Sequence, residues 1–259
     1  MLPLIQVDHV SYQYPQNPVL KDVSFHVDEH EFVSLLGSSG VGKTTIFNLI
    51  AGILPLQEGR ILISGSEDIA GKVSYMLQKD LLLEHKTVLA NILLPLQLQK
   101  VPKKDALAEA EAVLSDFGLS AYRNYYPAEL SGGMRQRIAL IRTYLFRQKI
   151  FLLDEAFSAL DAMTKLQLHR WYKKIMAEYG LTTLLITHDI EEALLLSDRI
   201  YLIKGKPGRI VAEIPVDLES AEIPIEIKSD DRDRDARLLA YKRQILEILD
   251  LEASDSSDQ

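Results

Sequence analysis

Apolar residues along this chain fall into short runs separated by polar turns. Residues 31–36, 73–77, 150–155 and 181–187 are apolar runs of strand length and read as buried strands. Two N-terminal stretches differ. Residues 4–10 carry apolar side chains at 5, 7 and 10, and residues 19–27 alternate Val23, Phe25 and Val27 with polar neighbours. With residues 60–63 they predict an antiparallel sheet, joined by a turn-rich loop over 11–18. From 86 to 117 the period changes to a helical one. Val88, Ile92, Leu93 and Leu96 share one face, and Leu107, Ala110, Val113 and Leu114 share another after Pro102. This stretch is too long for a simple crossover, so it predicts an inserted helical subdomain at about 79–141. A helix follows over 136–141, placed for capping by Ser131, and a long one over 162–179. Residues 199–203 and 209–214 predict a closing hairpin around 205–208. Residues 236–251, apolar at 238, 239, 245, 246 and 249, predict an amphipathic helix, and 252–259 an acidic, disordered tail.

One loop organises these elements. Gly37-Ser38-Ser39-Gly40-Val41-Gly42-Lys43-Thr44-Thr45 joins the strand at 31–36 to a helix at 46–51, the context a phosphate-binding loop requires. Its glycines let the backbone curl, and curled N–H groups with a helix N-terminus behind them attract anions. Lys43 can reach the β- and γ-phosphates, and the Thr44 hydroxyl can ligate Mg²⁺. The expected fold is α/β: a P-loop NTPase core with a mostly parallel sheet, an N-terminal antiparallel β subdomain and the helical insertion.

Other candidate groups stand at strand ends, where ligands gather in open α/β sheets. Gln78 follows one strand and can orient water or touch a metal. Asp154 and Glu155 end another, and a period of two puts them on opposite sides of the strand axis, one towards Mg²⁺ and the other towards an attacking water. His188 follows a third and can hydrogen-bond a phosphate. Ser131, Gly132 and Gly133 open a helix and form a second anion-binding candidate. Tyr14 offers an aromatic face.

Composition narrows the choice. Of 259 residues, 47% are hydrophobic and 25% charged, as in soluble globular proteins. A net charge of −8 argues against a nucleic-acid partner. With no cysteine there is neither a disulfide framework nor a thiolate metal site. No run reaches the roughly 18–20 apolar residues of a membrane span, and the first residues lack a signal-peptide pattern, so the expectation is a cytosolic chain.

Taken in order, the motifs resemble the nucleotide-binding subunit of an ATP-binding cassette (ABC) transporter. The residues that carry the resemblance are 37–45 (Walker A), Gln78 (Q-loop), the signature Leu130-Ser131-Gly132-Gly133-Met134-Arg135-Gln136, Leu152-Leu153-Asp154-Glu155 (Walker B), Ser158–Asp161 (D-loop) and His188 (switch histidine). Gly133–Arg137, Leu160–Thr164 and Pro207–Val211 further resemble the nitrate, sulfonate and taurine importer branch. The resemblance implies an ABC domain over 1–215, with 216–259 as a C-terminal helix and tail. It implies ATP and Mg²⁺ as cofactors, with Tyr14 stacking on adenine and Gly37, Ser38, Ser39, Gly40, Val41, Gly42, Lys43, Thr44 and Thr45 holding phosphates. Thr44 and Gln78 would bind Mg²⁺ with Asp154 behind them, Glu155 would be the general base, and His188 would stabilise the γ-phosphate. Ser131 and Gly133 would contact the γ-phosphate bound to a second copy, and Gly132, Gln136 and Asp161 would also belong to the nucleotide-binding set. The implied partners are a homodimer or paired ATPase subunit, a membrane permease and, indirectly, an extracellular or periplasmic solute-binding protein. The implied location is the cytoplasmic face of the membrane. Two departures stand out: Ala156 where many relatives have proline, and Glu84-His85 where the sulfonate-type branch often has Pro-Trp. Competing readings are a P-loop small-molecule kinase, which has no use for 130–136, and a non-transport ABC ATPase, which usually carries a second cassette or a long coiled coil.

Overall fold

The computed structural model describes residues 3–158, 160–218 and 230–251. In chain order the elements are β1 (Ile5–Tyr14), β2 (Asn17–Val27), β3 (Phe32–Leu36), α1 (Lys43–Ile50), β4 (Glu58–Ile63), β5 (Val73–Met76), α2 (Val88–Leu98) and α3 (Lys103–Asp116). They continue with α4 (Gly132–Tyr144), β6 (Ile150–Asp154), α5 (Ala162–Tyr179), β7 (Thr182–Thr187), α6 (Ile190–Leu196), β8 (Arg199–Lys204), β9 (Arg209–Pro215) and α7 (Asp230–Leu251). Two units result. One joins the residues up to Ile69 with those from Thr183 on; the other is Ala70–Thr182.

The first unit contains the expected antiparallel sheet, in the order β2-β1-β4. Ile5 pairs with Val27 on one side and Ile63 on the other, so the apolar alternation of all three strands is buried on one face. The loop expected over 11–18 is instead strand: β1 runs to Tyr14, β2 begins at Asn17, and only Pro15 and Gln16 turn. An antiparallel sheet can wet one face. Buried Val10 and Tyr12 therefore alternate with Ser11 and Gln13, whose polarity reads as loop in the sequence.

The unit's other strands are mostly parallel. β3 pairs in parallel with β7 and β8, and β9 closes antiparallel on β8 as the expected hairpin. Every residue of β3 and β7 is buried, so neither strand alternates apolar with charged positions, and the polar side chains they carry are the small Ser34, Thr182, Thr183 and Thr187. Helix α7 packs on this sheet through Leu238, Tyr241, Ile245, Ile248 and Leu249. Leu239 and Leu246, expected on its apolar face, are half exposed. Tyr241 fills the stripe instead, and its hydroxyl accepts a bond from the Asp217 amide at 3.2 Å.

In the second unit β5 and β6 pair in parallel, and the expected helices appear as α2, α3 and α4. Thr87 caps α2, Ser131 caps α4 and Asp161 caps α5, each accepting a backbone N–H. On α3 the buried face is Ala106, Ala110, Val113 and Leu114. Leu107, expected there, is 36% exposed because the smaller Ala106 occupies that position of the stripe. The segment before α2 is held by Asn91, which is fully buried. Its amide donates to the carbonyls of Leu83, Lys86 and Thr87 and accepts from the Leu83 N–H at 2.7 Å.

Candidate active site

The loop after β3 turns sharply because glycine stands where nothing larger fits. A Cβ at Gly37 would lie 2.3 Å from the Ile203 carbonyl oxygen of β8. Gly42 has φ 107°, and a Cβ there would lie 2.7 Å from Leu20 of β2. Within the curl, the Lys43 ammonium donates to the carbonyls of Gly37 at 2.6 Å and Ser38 at 2.8 Å. Lys43 and Val41 are buried, whereas Ser38, Ser39 and Gly40 are exposed. A cation thus lies under an open rim of backbone, a cradle suited to phosphate. Helix α1 begins with no side-chain cap and no acid in its first turn, which leaves its positive end for an anion. Thr44 is exposed and Thr45 buried, so of the two hydroxyls Thr44 is the one a metal can reach.

Register brings His188 to this loop. Leu36 of β3 pairs with Thr187 of β7, and the Gly37 N–H reaches the Thr187 carbonyl at 3.4 Å. The residues that leave these paired strands, Gly37 and His188, start from the same level. His188 is exposed. Next to it, Asp189 donates its N–H to Thr187 Oγ1 at 3.0 Å and caps α6 by accepting from the Glu192 N–H at 3.2 Å. Tyr14 ends β1, 41% exposed, with one edge against Tyr12 at 5.2 Å between ring centroids.

The second unit carries the carboxylates. Asp154, the last residue of β6, is buried, and its Oδ2 accepts from the Tyr75 hydroxyl at 3.3 Å. Burial, with the Asp154 charge added, pushes the Tyr75 phenol well above its ordinary range. Glu155 leaves the strand with φ 45°, left-handed for a residue with a Cβ. Its carbonyl accepts both the Ser158 N–H at 3.1 Å and the Ser158 hydroxyl at 2.9 Å, which closes a tight turn. Its carboxylate accepts from the Gln78 amide at 3.1 Å. The two acids therefore face different neighbours as expected, but the cause is this left-handed turn rather than strand alternation.

Ser131 is exposed at the start of α4 and accepts the Met134 N–H at 3.3 Å. Gly133 lies so close to α5 that a Cβ would meet the Thr164 methyl at 2.4 Å. Gln136 is buried, and its Oε1 has no hydrogen-bond partner. Asp161 is exposed, and hydrogen bonds from the Thr164 side chain first and the Thr164 N–H second hold its carboxyl below the usual range.

Sequence reasoning missed the support behind Gln78. Arg135 and Arg142 lie seven residues apart on one face of α4. Arg135 Nε donates to the Asp80 carboxylate at 3.2 Å, and Arg142 donates to the Asp80 and Leu81 carbonyls at 2.6 and 2.7 Å. Their spacing was the available signal. Asp80 gave none, because a lone acid after a strand reads as solvated.

The family described as ABC transporter matches residues 20–158. A formylaminopyrimidine import ATP-binding protein of Halalkalibacterium halodurans is 42% identical over 83% of this chain and 86% of its own length. The chain belongs to the ABC transporter family. It is an ATP-binding subunit of that family, an ATPase, which removes the small-molecule kinase reading. A taurine import ATP-binding protein of Escherichia coli strain K12 is 36% identical over 88% of this chain and 91% of its own. Among solved structures, a dimeric post-hydrolysis state of an ATP-binding cassette bound to ADP and Pi superposes with a TM-score of 0.70 at 28% identity, over 82% of this chain and 99% of that one. The P-loop NTPase fold expected from the sequence is thereby shown.

Proposed function

We propose that this ATPase works as one of a pair on the cytoplasmic face of a membrane and drives solute import through a separate permease. The observation that carries the reading is the division of labour at the end of β6: Asp154 buried, Glu155 turned outward onto Gln78. Lys43 exchanges the Gly37 and Ser38 carbonyls for the β- and γ-phosphates. Glu155 accepts the proton of the attacking water, which Gln78 orients, and His188 donates to the γ-phosphate. Thr44, Gln78 and Asp154 would hold Mg²⁺, whose charge offsets that of the phosphates. The exposed hydroxyl at Thr44 and the buried acid at Asp154 are the hard oxygen donors Mg²⁺ takes.

A membrane partner is supported by a groove in the second unit. Leu77, Leu81, Leu98 and Phe146, at 40, 52, 72 and 40% exposure, surround it. Exposed apolar side chains gathered around a cleft suit an amphipathic helix. No helix among the described residues is long and apolar enough to cross a membrane. The relatives above import unlike solutes at similar identity, so we assign cargo choice to the permease and a solute-binding protein. A sulfonate-type or other small solute fits the branch motifs.

The test is Glu155→Gln. The amide keeps the shape and removes the proton acceptor, and loss of a general base costs about 10²–10⁴ in rate. ATP should still bind, as read by fluorescence titration, while phosphate release collapses. Turnover above about a tenth of the parent would reject this role for Glu155.

A further inference from the structure

Helix α7 carries none of the motifs above, yet it is joined to the element that presents His188. Ile245, fully buried, packs in one cluster with Ala193 and Leu194 of α6 and with Leu36, Ile200, Leu202 and Ile214 of the sheet. Lys242 forms an ion pair with Glu191 of α6. Farther along, the Leu249 carbonyl accepts from Lys204 at the end of β8, next to Ile203, whose carbonyl closes on Gly37. Helix α6 spans only seven residues. So short a helix does not hold its own conformation in water and takes its orientation from what packs on it. Its cap, Asp189, is the residue after His188, bonded both to Thr187 and to the first turn of α6. A tilt of α6 is therefore transmitted through a single residue to the imidazole.

We propose that Lys242 and Ile245 are positioning residues for His188: α7 sets the angle of α6, and α6 sets the direction of the histidine. This rests on the reading that His188 contacts the γ-phosphate. Neither residue lies in the phosphate loop, whose Lys43 and N–H groups supply most of the hold on ATP, so both act on kcat and leave nucleotide affinity nearly unchanged.

The test uses the full chain. Lys242→Glu sets two carboxylates against each other at the α6–α7 contact and should lower kcat about fivefold, with ATP affinity by fluorescence titration unchanged. The exchange Glu191→Lys with Lys242→Glu restores the pair in reverse and should return kcat to near the parent. Ile245→Ala should lower both kcat and the melting temperature. A purely structural role predicts that the loss of kcat follows the fall in melting temperature and persists whatever stands at position 188. In a His188→Ala background, Lys242→Glu should have no further effect. An unchanged kcat in Lys242→Glu, a failed rescue, or an undiminished effect in the His188→Ala background would each overturn the proposal. His188→Ala with the parent's own kcat would instead reject the reading of the site, and that result is visible in the single variant alone.

Discussion

Burial and the Asp154 charge both favour the neutral phenol of Tyr75, whose ordinary value is 10.0. The sign for stability follows. Below pH 10 the phenol is neutral folded and unfolded, and it contributes nothing pH-dependent. Above pH 10 the unfolded chain ionises it while the folded chain does not, so the folded state binds more protons and stability falls as pH rises. Tyr75→Phe removes that loss together with one long hydrogen bond to Asp154. The variant should therefore melt slightly below the parent at pH 8, and the gap should close or reverse above pH 10. Melting curves of both proteins across pH 8–11 check this, and a gap constant across the range would refute it. Tyr75 was not legible in the sequence, because nothing in a short apolar strand distinguishes the one side chain that reaches an acid on the next strand. Residues 37–45 were legible because the chemistry is local: loop, cation and helix start are contiguous. Glu155 lies between these cases. Its identity was readable, but its left-handed turn was not, since nothing in the residue types at 155–158 shows that the Ser158 N–H and hydroxyl both turn back onto the Glu155 carbonyl.

At the scale of elements, periodicity located nearly every strand and helix, and it failed where polarity and burial part company. The polar end of β1 read as loop because one face of an antiparallel sheet is wet. The face of α7 was misplaced because Tyr241, amphipathic, packs where Leu239 and Leu246 do not. The acidic tail expected over 252–259 lies outside the described residues. Contacts between elements were less legible than the elements themselves. Arg135 and Arg142 of α4 gather the chain just after Gln78, so the helix opened by Ser131 and the segment carrying Gln78 are tied together. Burial lowers the Arg142 pKa, but the nearby Asp80 charge opposes that shift, and the guanidinium stays charged. Arg142→Ala should cost about 1–3 kcal/mol, the range for removing hydrogen bonds from a charged donor to partly buried carbonyls. Faster hydrogen exchange should follow at the amides of Leu82 and Leu83, beside the released carbonyls. Exchange unchanged there would show that Asn91 alone holds the segment.

At the scale of the whole molecule the question is whether one chain makes a complete site. Helix α1 presents one uncapped N-terminus with a lysine beneath it. Helix α4 presents another N-terminus, capped by the exposed Ser131, with no acid in its first turn and Gly133 fitted against α5. A polyphosphate has oxygens enough for both ends. In the proposed pair a two-fold axis brings Ser131 of each copy to the γ-phosphate held by the other, an isologous arrangement in which ATP joins the subunits and hydrolysis separates them. Mixing two defective variants, Lys43→Ala and Ser131→Arg, both in the Glu155→Gln background, tests this without relying on turnover. If sites are shared, each mixed dimer has one site with both lesions and one with neither, and the intact site traps ATP. If each chain completes its own site, both sites of the mixed dimer carry a lesion. The expected result is nucleotide retained by the mixture on gel filtration well above the sum of the two variants alone. Retention no greater than that sum would mean that each chain closes its own site, and the ATP-dependent pairing would need another cause.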